Sequence, residues 1–93
     1  MNLINIQFHI SLSDRRGKVL FEGKWEYQFD VTVNEKIIID KIKEKKAEII
    51  SSMLISNPGS HSINLEKLGM CRQMKVSFEW NGKEIEKNIN LNP

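Results

Sequence analysis

The sequence predicts an α+β domain in which two β-hairpins flank one long helix, in the order β-β-α-β-β. Apolar and polar residues alternate toward both ends of the chain, and apolar residues recur at helical spacing in its middle. The dipeptide Asn81-Gly82 marks a tight hairpin turn. A length of 93 residues suits one domain, so we treat residues 1–93 as a single unit. We expect a mainly antiparallel sheet with the helix packed on one face.

The first hairpin is predicted by two runs with a period of two. Even positions from Ile4 to Leu12 are apolar and the intervening positions are polar. After a polar turn at residues 13–17, the alternation resumes from Val19 to Val33. Gly23 occupies a position whose side chain should point inward, so we expect a bulge or bend there.

A long helix is predicted between Asn34, a suitable N-cap, and the helix-stopping Asn57-Pro58-Gly59. At 100° per residue, six apolar residues form one stripe that should pack on the sheet. These residues are Ile38, Ile39, Ile42, Ile49, Ile50 and Met53. Lys46 also projects into this stripe, so we expect that the helix is locally wound differently or that its end is exposed.

The second hairpin follows a predicted loop of about fourteen residues, in which Leu65–Leu68 suits a short turn. Met74 to Trp80 alternate apolar and polar side chains, and Asn81-Gly82 suits a two-residue type I′ turn. Such a turn pairs Trp80 with Lys83, Phe78 with Ile85, and Met74 with Ile89.

Composition gives expectations about the cellular setting. Fourteen Lys and Arg against twelve Asp and Glu leave a formal charge of +2, too small for an overall field that attracts nucleic acid or anionic lipid. A single cysteine, Cys71, and a start without a signal-peptide pattern predict a reducing, cytoplasmic setting. No apolar stretch approaches the ~20 residues that a membrane-spanning helix needs.

Eight charged residues are candidate partner contacts: Arg15, Arg16, Lys18, Lys24, Glu26, Glu79, Glu84 and Glu86. The first three lie in the first turn, where forked guanidinium donors suit a phosphate or an acidic protein patch. The second hairpin places Glu79 opposite Glu84, which suits an acidic recognition patch or a weak cation site, but we expect Lys75, Lys83 and Lys87 to lie close enough to neutralise it. An ordinary solvated surface is the alternative for both groups.

No catalytic, metal or cofactor residue is predicted. His9 and His61 belong to no metal-ligand spacing, and Ser60-His61-Ser62 lacks a third group that would orient the imidazole. A lone cysteine such as Cys71 is more often a small buried apolar residue than a nucleophile.

These observations favour a small non-enzymatic protein-binding domain that occludes a partner's surface, such as an inhibitor or immunity-type protein of a phage or mobile element. One alternative is nucleic-acid binding through the Arg15, Arg16 and Lys18 turn together with the helix lysines Lys43 and Lys46. Another is a small-ligand binder or minor enzyme that uses His61, Cys71 or the hairpin carboxylates. Exposed sheet edges also permit a homodimer.

Overall fold

The computed structural model describes residues 2–91 and contains four strands and three helices. They are β1 (Leu3–Asp14), β2 (Val19–Asp30), α1 (Glu35–Glu44), α2 (Lys46–Ser56), α3 (His61–Met70), β3 (Cys71–Trp80) and β4 (Lys83–Asn90). The α+β class is therefore confirmed, and the order is β-β-α-α-α-β-β. The prediction of one long helix is wrong, because three shorter helices occupy the middle of the chain.

The strands form one sheet in the order β2-β1-β3-β4, and every neighbouring pair is antiparallel. The second hairpin has the predicted register, with Trp80 opposite Lys83 and Phe78 opposite Ile85. Asn81 and Gly82 have φ of 53° and 75°, the positive values that a type I′ turn requires. This local dipeptide therefore sets the pairing of the whole hairpin.

The first hairpin is regular at Gly23, which lies directly opposite Ile10, so the predicted bulge at this glycine is wrong. The register shifts instead between Leu12 and Ser13. Helix α2 lies over this glycine: a Cβ added at Gly23 would lie 3.5 Å from Cγ of Met53, an ordinary van der Waals contact. Met53 therefore occupies the space into which a larger side chain at this position would extend.

The predicted long helix is interrupted at Lys45, whose φ of −93° and ψ of 11° separate α1 from α2. The Asn34 cap is confirmed, because its side-chain oxygen accepts a hydrogen bond from the Ile37 backbone N–H at 2.9 Å. Ile38 and Ile42 of α1 are fully buried, as is Ile49 of α2. The interruption lies beside Lys46, the lysine that does not fit the apolar stripe.

Helix α3 replaces most of the predicted loop. Ser60 caps it by accepting a hydrogen bond from Ile63 N–H at 3.3 Å. The buried residue of α3 is polar, since Asn64 is only 2% exposed. Its Nδ2 donates hydrogen bonds to the carbonyl oxygens of Leu54 and Asn57 at 3.3 and 3.4 Å. Since α3 lacks an apolar stripe, hydrophobic periodicity does not reveal it.

The hydrophobic core lies between the helices and one face of the sheet. Even-numbered residues of β1 and β3 supply much of it, including Phe8, Leu12, Met74 and Val76. Lys41 lies at its border, with Nζ 5.7 Å from the Tyr27 ring centre and 2.9 Å from a Glu44 oxygen. Within residues 2–91, no helix has both the length and the apolar character needed to cross a membrane.

Candidate functional site

The sheet face that points away from the core is polar across all four strands, and we call it the polar face. Asn5, Gln7, His9 and Ser11 of β1 form its centre, and the registers place the outward residues of β2 and β3 on either side. All seven aromatic residues of the chain have the opposite orientation, toward the core side of the sheet. The polar face therefore offers charge and hydrogen bonding, with His9 but no Phe, Tyr or Trp side chain for stacking.

Acidic residues outnumber basic ones on the polar face. Its charged members on the paired central stretches are Glu22, Glu26, Glu79, Glu84, Glu86, Lys24 and Lys75. The expectation that Lys83 and Lys87 neutralise the acidic patch is wrong, because they lie opposite Trp80 and Val76 and so point to the other side of the sheet. The five glutamates consequently face only two lysines.

Glu26 and Glu86 are each bound within the polar face. The Glu26 carboxylate accepts hydrogen bonds from Nδ2 of Asn5 at 3.2 Å and from Nε2 of Gln7 at 3.4 Å. Lys75 Nζ lies 2.6 Å from a Glu86 oxygen. Both members of this ion pair are about half exposed, so the pair contributes little to stability. These contacts hold the two carboxylates in defined positions.

Glu79 and Glu84 lie directly opposite each other, as the sequence predicts. No ion pair within residues 2–91 includes either carboxylate. Opposed like charges on neighbouring strands destabilise a sheet by roughly 0.2–1 kcal/mol. This pair is therefore a stability cost that binding to a basic group would remove.

Two shallow depressions run along β1 on this face, and together we call them the polar groove. One, of about 410 Å³, is lined by side chains that include Glu22, Lys24 and Lys75. The other, of about 450 Å³, is lined by residues that include Glu79 and Glu84. His9 and Ser77 line both depressions. They are also the last residues at which β1 pairs with β3, and beyond them the two strands continue without pairing to each other.

The basic candidates Arg15, Arg16 and Lys18 lie in the β1–β2 turn, at the end of the sheet. The Asp14 carboxylate fixes this turn by accepting hydrogen bonds from the N–H groups of Arg16 and Lys18 at 2.9 and 3.0 Å. Seven residues of strand separate Asp14 from Gln7, a span of roughly 23 Å. The eight predicted contacts therefore divide into five on the polar face and three at this turn.

Sequence reasoning missed Arg72 as a candidate. It is the second residue of β3, and it lines two depressions together with Arg15. The pairing of Asp14 with Cys71 brings the turn beside the start of β3. No local sequence signal shows this proximity, because it depends on the long-range pairing of β1 with β3.

Two residues of the small-ligand alternative, Cys71 and His61, lie apart from the polar groove, whereas the hairpin carboxylates Glu79 and Glu84 line it. The Cys71 thiol is buried and donates to the Lys67 carbonyl at 3.5 Å. Burial, followed by the Asp14 carboxylate, raises the pKa of this thiol, so the thiolate is disfavoured. His61 is the exposed first residue of α3. Among the side chains of residues 2–91, no group of three His, Cys, Asp or Glu could hold a metal ion.

Comparisons with protein-family models, with curated proteins and with solved structures found no match to this chain.

Proposed function

We propose that this chain is a non-enzymatic protein-binding domain whose polar groove covers a basic surface of a partner protein, in the manner of an inhibitor or immunity protein. The observation that carries this proposal is the pair Glu79 and Glu84, which lie opposite each other on the sheet face that points away from the core and have no ion-pair partner within residues 2–91. A lysine or arginine of the partner placed between these carboxylates would relieve their repulsion.

The dimensions of the polar face fit this role. Four strands about 4.8 Å apart and about ten residues long give a patch of roughly 20 by 30 Å, or about 600 Å². Stable protein complexes bury about 800 Å² on each partner, so this face with its rim is close to the usual size. Because its charges are mostly acidic, complementarity favours a basic partner.

Nucleic acid is less favoured as the partner of this face. Phosphate groups would meet the five glutamates, and single-stranded nucleic acid binding usually depends on stacking by several aromatic residues, whereas this face has no Phe, Tyr or Trp. Among the helix lysines, Lys41 is already paired with Glu44.

A homodimer formed through the edge strands β2 and β4 is a separate alternative, although Lys83 and Lys87 on β4 disfavour edge pairing.

The test is affinity capture from lysate of the source cells and their competitors, with three versions of the chain as bait. They are the natural chain, the groove variant Glu79→Lys/Glu84→Lys, and the control Lys83→Glu/Lys87→Glu, which changes the opposite face of the same hairpin. The groove variant keeps a like-charged pair, so its effect on folding should be small. Nuclease treatment of half of each lysate separates protein partners from nucleic acid.

A nuclease-resistant protein retained by the natural chain and the control, but lost by the groove variant, would support the proposal. Equal recovery by all three baits, or recovery that disappears after nuclease treatment, would contradict it. Light scattering of the purified chain tests the homodimer, since a mass of twice 10.8 kDa would show self-association.

A further inference from the structure

Three guanidinium groups lie at the end of the sheet opposite the Asn81-Gly82 turn, and we call them the arginine cluster. Arg15 and Arg16 come from the β1–β2 turn, and Arg72 comes from the start of β3. One depression of about 210 Å³ is lined by all three, and a second of about 300 Å³ by Arg15 and Arg72. The β1–β2 turn and the start of β3 therefore place their positive charges around the same depression.

The backbone around the arginine cluster is held in place. The turn is fixed by the two hydrogen bonds to Asp14 and by Gly17, whose φ of 86° suits the tight chain reversal. Arg72 is oriented by Nη1, which donates to the carbonyl oxygens of Gly69 and Cys71 at 2.8 and 3.0 Å. These contacts leave Nε and Nη2 of Arg72 to donate to a ligand.

The positive charge of the cluster is offset only in part within residues 2–91. No ion pair in residues 2–91 includes Arg15, Arg16 or Arg72. One carboxylate, Asp14, lines the depression and accepts hydrogen bonds from two backbone N–H groups, so its single negative charge offsets one of the three guanidinium charges. Three neighbouring guanidinium groups repel one another, and a bound dianion would remove this repulsion.

We infer that the arginine cluster binds the phosphate group of a phosphorylated small molecule. Guanidinium groups donate two parallel hydrogen bonds to phosphate oxygens, and three of them beside the Asp14 carboxylate leave a net positive charge that balances a phosphate dianion. The side chain of Met70, which is 52% exposed, lines the same depression and offers an apolar contact for the rest of the ligand. The site shares no lining residue with the polar groove, whose nearest β1 residue, Ser11, lies three strand residues, or roughly 10 Å, from Asp14.

The experiment is a titration of the full chain, observed by the backbone amide and arginine Nε–H resonances in nuclear magnetic resonance spectra, at constant ionic strength. Inorganic phosphate is the first probe, adenosine monophosphate the second, and a short single-stranded DNA the third. Saturable shifts confined to the β1–β2 turn and the start of β3 are expected with the first two probes. Tighter binding of the nucleotide would indicate that Met70 contacts the ligand, and equal binding would indicate a site for phosphate alone.

The variants are Arg15→Gln and Arg72→Gln, with Lys83→Gln in the second hairpin as the matched control. Each arginine variant should weaken phosphate binding by roughly tenfold or more, because it removes a charge-assisted hydrogen bond. Arg15 is exposed, and its side chain makes no hydrogen bond or ion pair within residues 2–91, so its variant should fold even if Arg72→Gln does not. Equal weakening by Lys83→Gln, or shifts spread over lysines throughout the chain, would overturn the inference. Tight binding of DNA alone would also overturn it and indicate a nucleic-acid site.

Discussion

Replacing Gly59 by alanine should destabilise the domain more than its surface position suggests. Gly59 has a φ of 117°, which side-chain-bearing residues rarely adopt, and the added Cβ would lie 3.1 Å from Oδ1 of Asn64. The backbone strain costs about 1–3 kcal/mol. Displacing Asn64 would also weaken its hydrogen bonds to Leu54 and Asn57, each worth about 1 kcal/mol.

Together these effects predict a loss of roughly 2–4 kcal/mol from a domain whose total stability should be about 5–14 kcal/mol. In a thermal melt this corresponds to a fall of roughly 10–25 °C in Tm. Gly17→Ala is the comparison, because Gly17 has a φ of 86° but no atom within 4 Å of its added Cβ. It should show the strain alone, about 1–2 kcal/mol.

A double-mutant cycle with Asn64→Ala isolates the contact from the strain. Removing the Asn64 side chain opens the space that the new Cβ needs, so Gly59→Ala should cost about 1 kcal/mol less in that background. Urea unfolding followed by circular dichroism gives the four free energies of unfolding. If the two substitutions were additive and Gly59→Ala cost no more than Gly17→Ala, the argument from Asn64 would be refuted.

Three further predictions follow from other contacts. Gly23→Ala should leave the free energy of unfolding unchanged or raise it by about 0.5 kcal/mol, because its Cβ would make ordinary contact with Met53. Gly23→Leu should instead lower the free energy of unfolding by about 1–3 kcal/mol. Equal effects of the two substitutions in urea titrations would contradict this prediction. Thr32 donates two hydrogen bonds to the Asp30 carboxylate and thereby lowers the pKa of Asp30 below the ordinary 3.8. The ionised Asp30 therefore stabilises the fold above pH 3.8, and this stabilisation is lost as the pH falls through the lowered pKa. The stability advantage over Asp30→Asn should disappear in acid, and an advantage independent of pH would contradict the assignment. The buried Cys71 thiol, with its raised pKa, should react with Ellman's reagent far more slowly in the folded protein than after unfolding in guanidinium chloride, and equal rates would show that it is accessible.

The strands were predictable because their signals are local. Alternation fixes which residues of β1 and β3 face the core, and the Asn81-Gly82 turn fixes the register of the second hairpin. The facing glutamates Glu79 and Glu84 follow directly from that register. Lys46 also carried a usable signal, since a lysine in an apolar stripe indicated the local change of winding that the structure shows at Lys45.

Features that depend on distant residues were not predictable. Helix α3 packs through Asn64, whose role depends on carbonyl groups at the end of α2. The signal that could have indicated α3 is Ser60, an N-cap residue followed by a helix-compatible segment. Gly23 looked like a bulge because its environment, the Met53 side chain, comes from a helix thirty positions later. Arg72 joined the candidate residues only through the pairing of β1 with β3.

The strand order also determines how the chain can fold. Each hairpin joins neighbouring segments, whereas the centre of the sheet joins residue 9 to residue 77 and so requires nearly the whole chain to come together. Closing so long a loop has a large entropic cost before any contact compensates for it. We therefore expect the hairpins to form early and the β1–β3 seam late, so that substitutions along the seam act mainly on the unfolding rate.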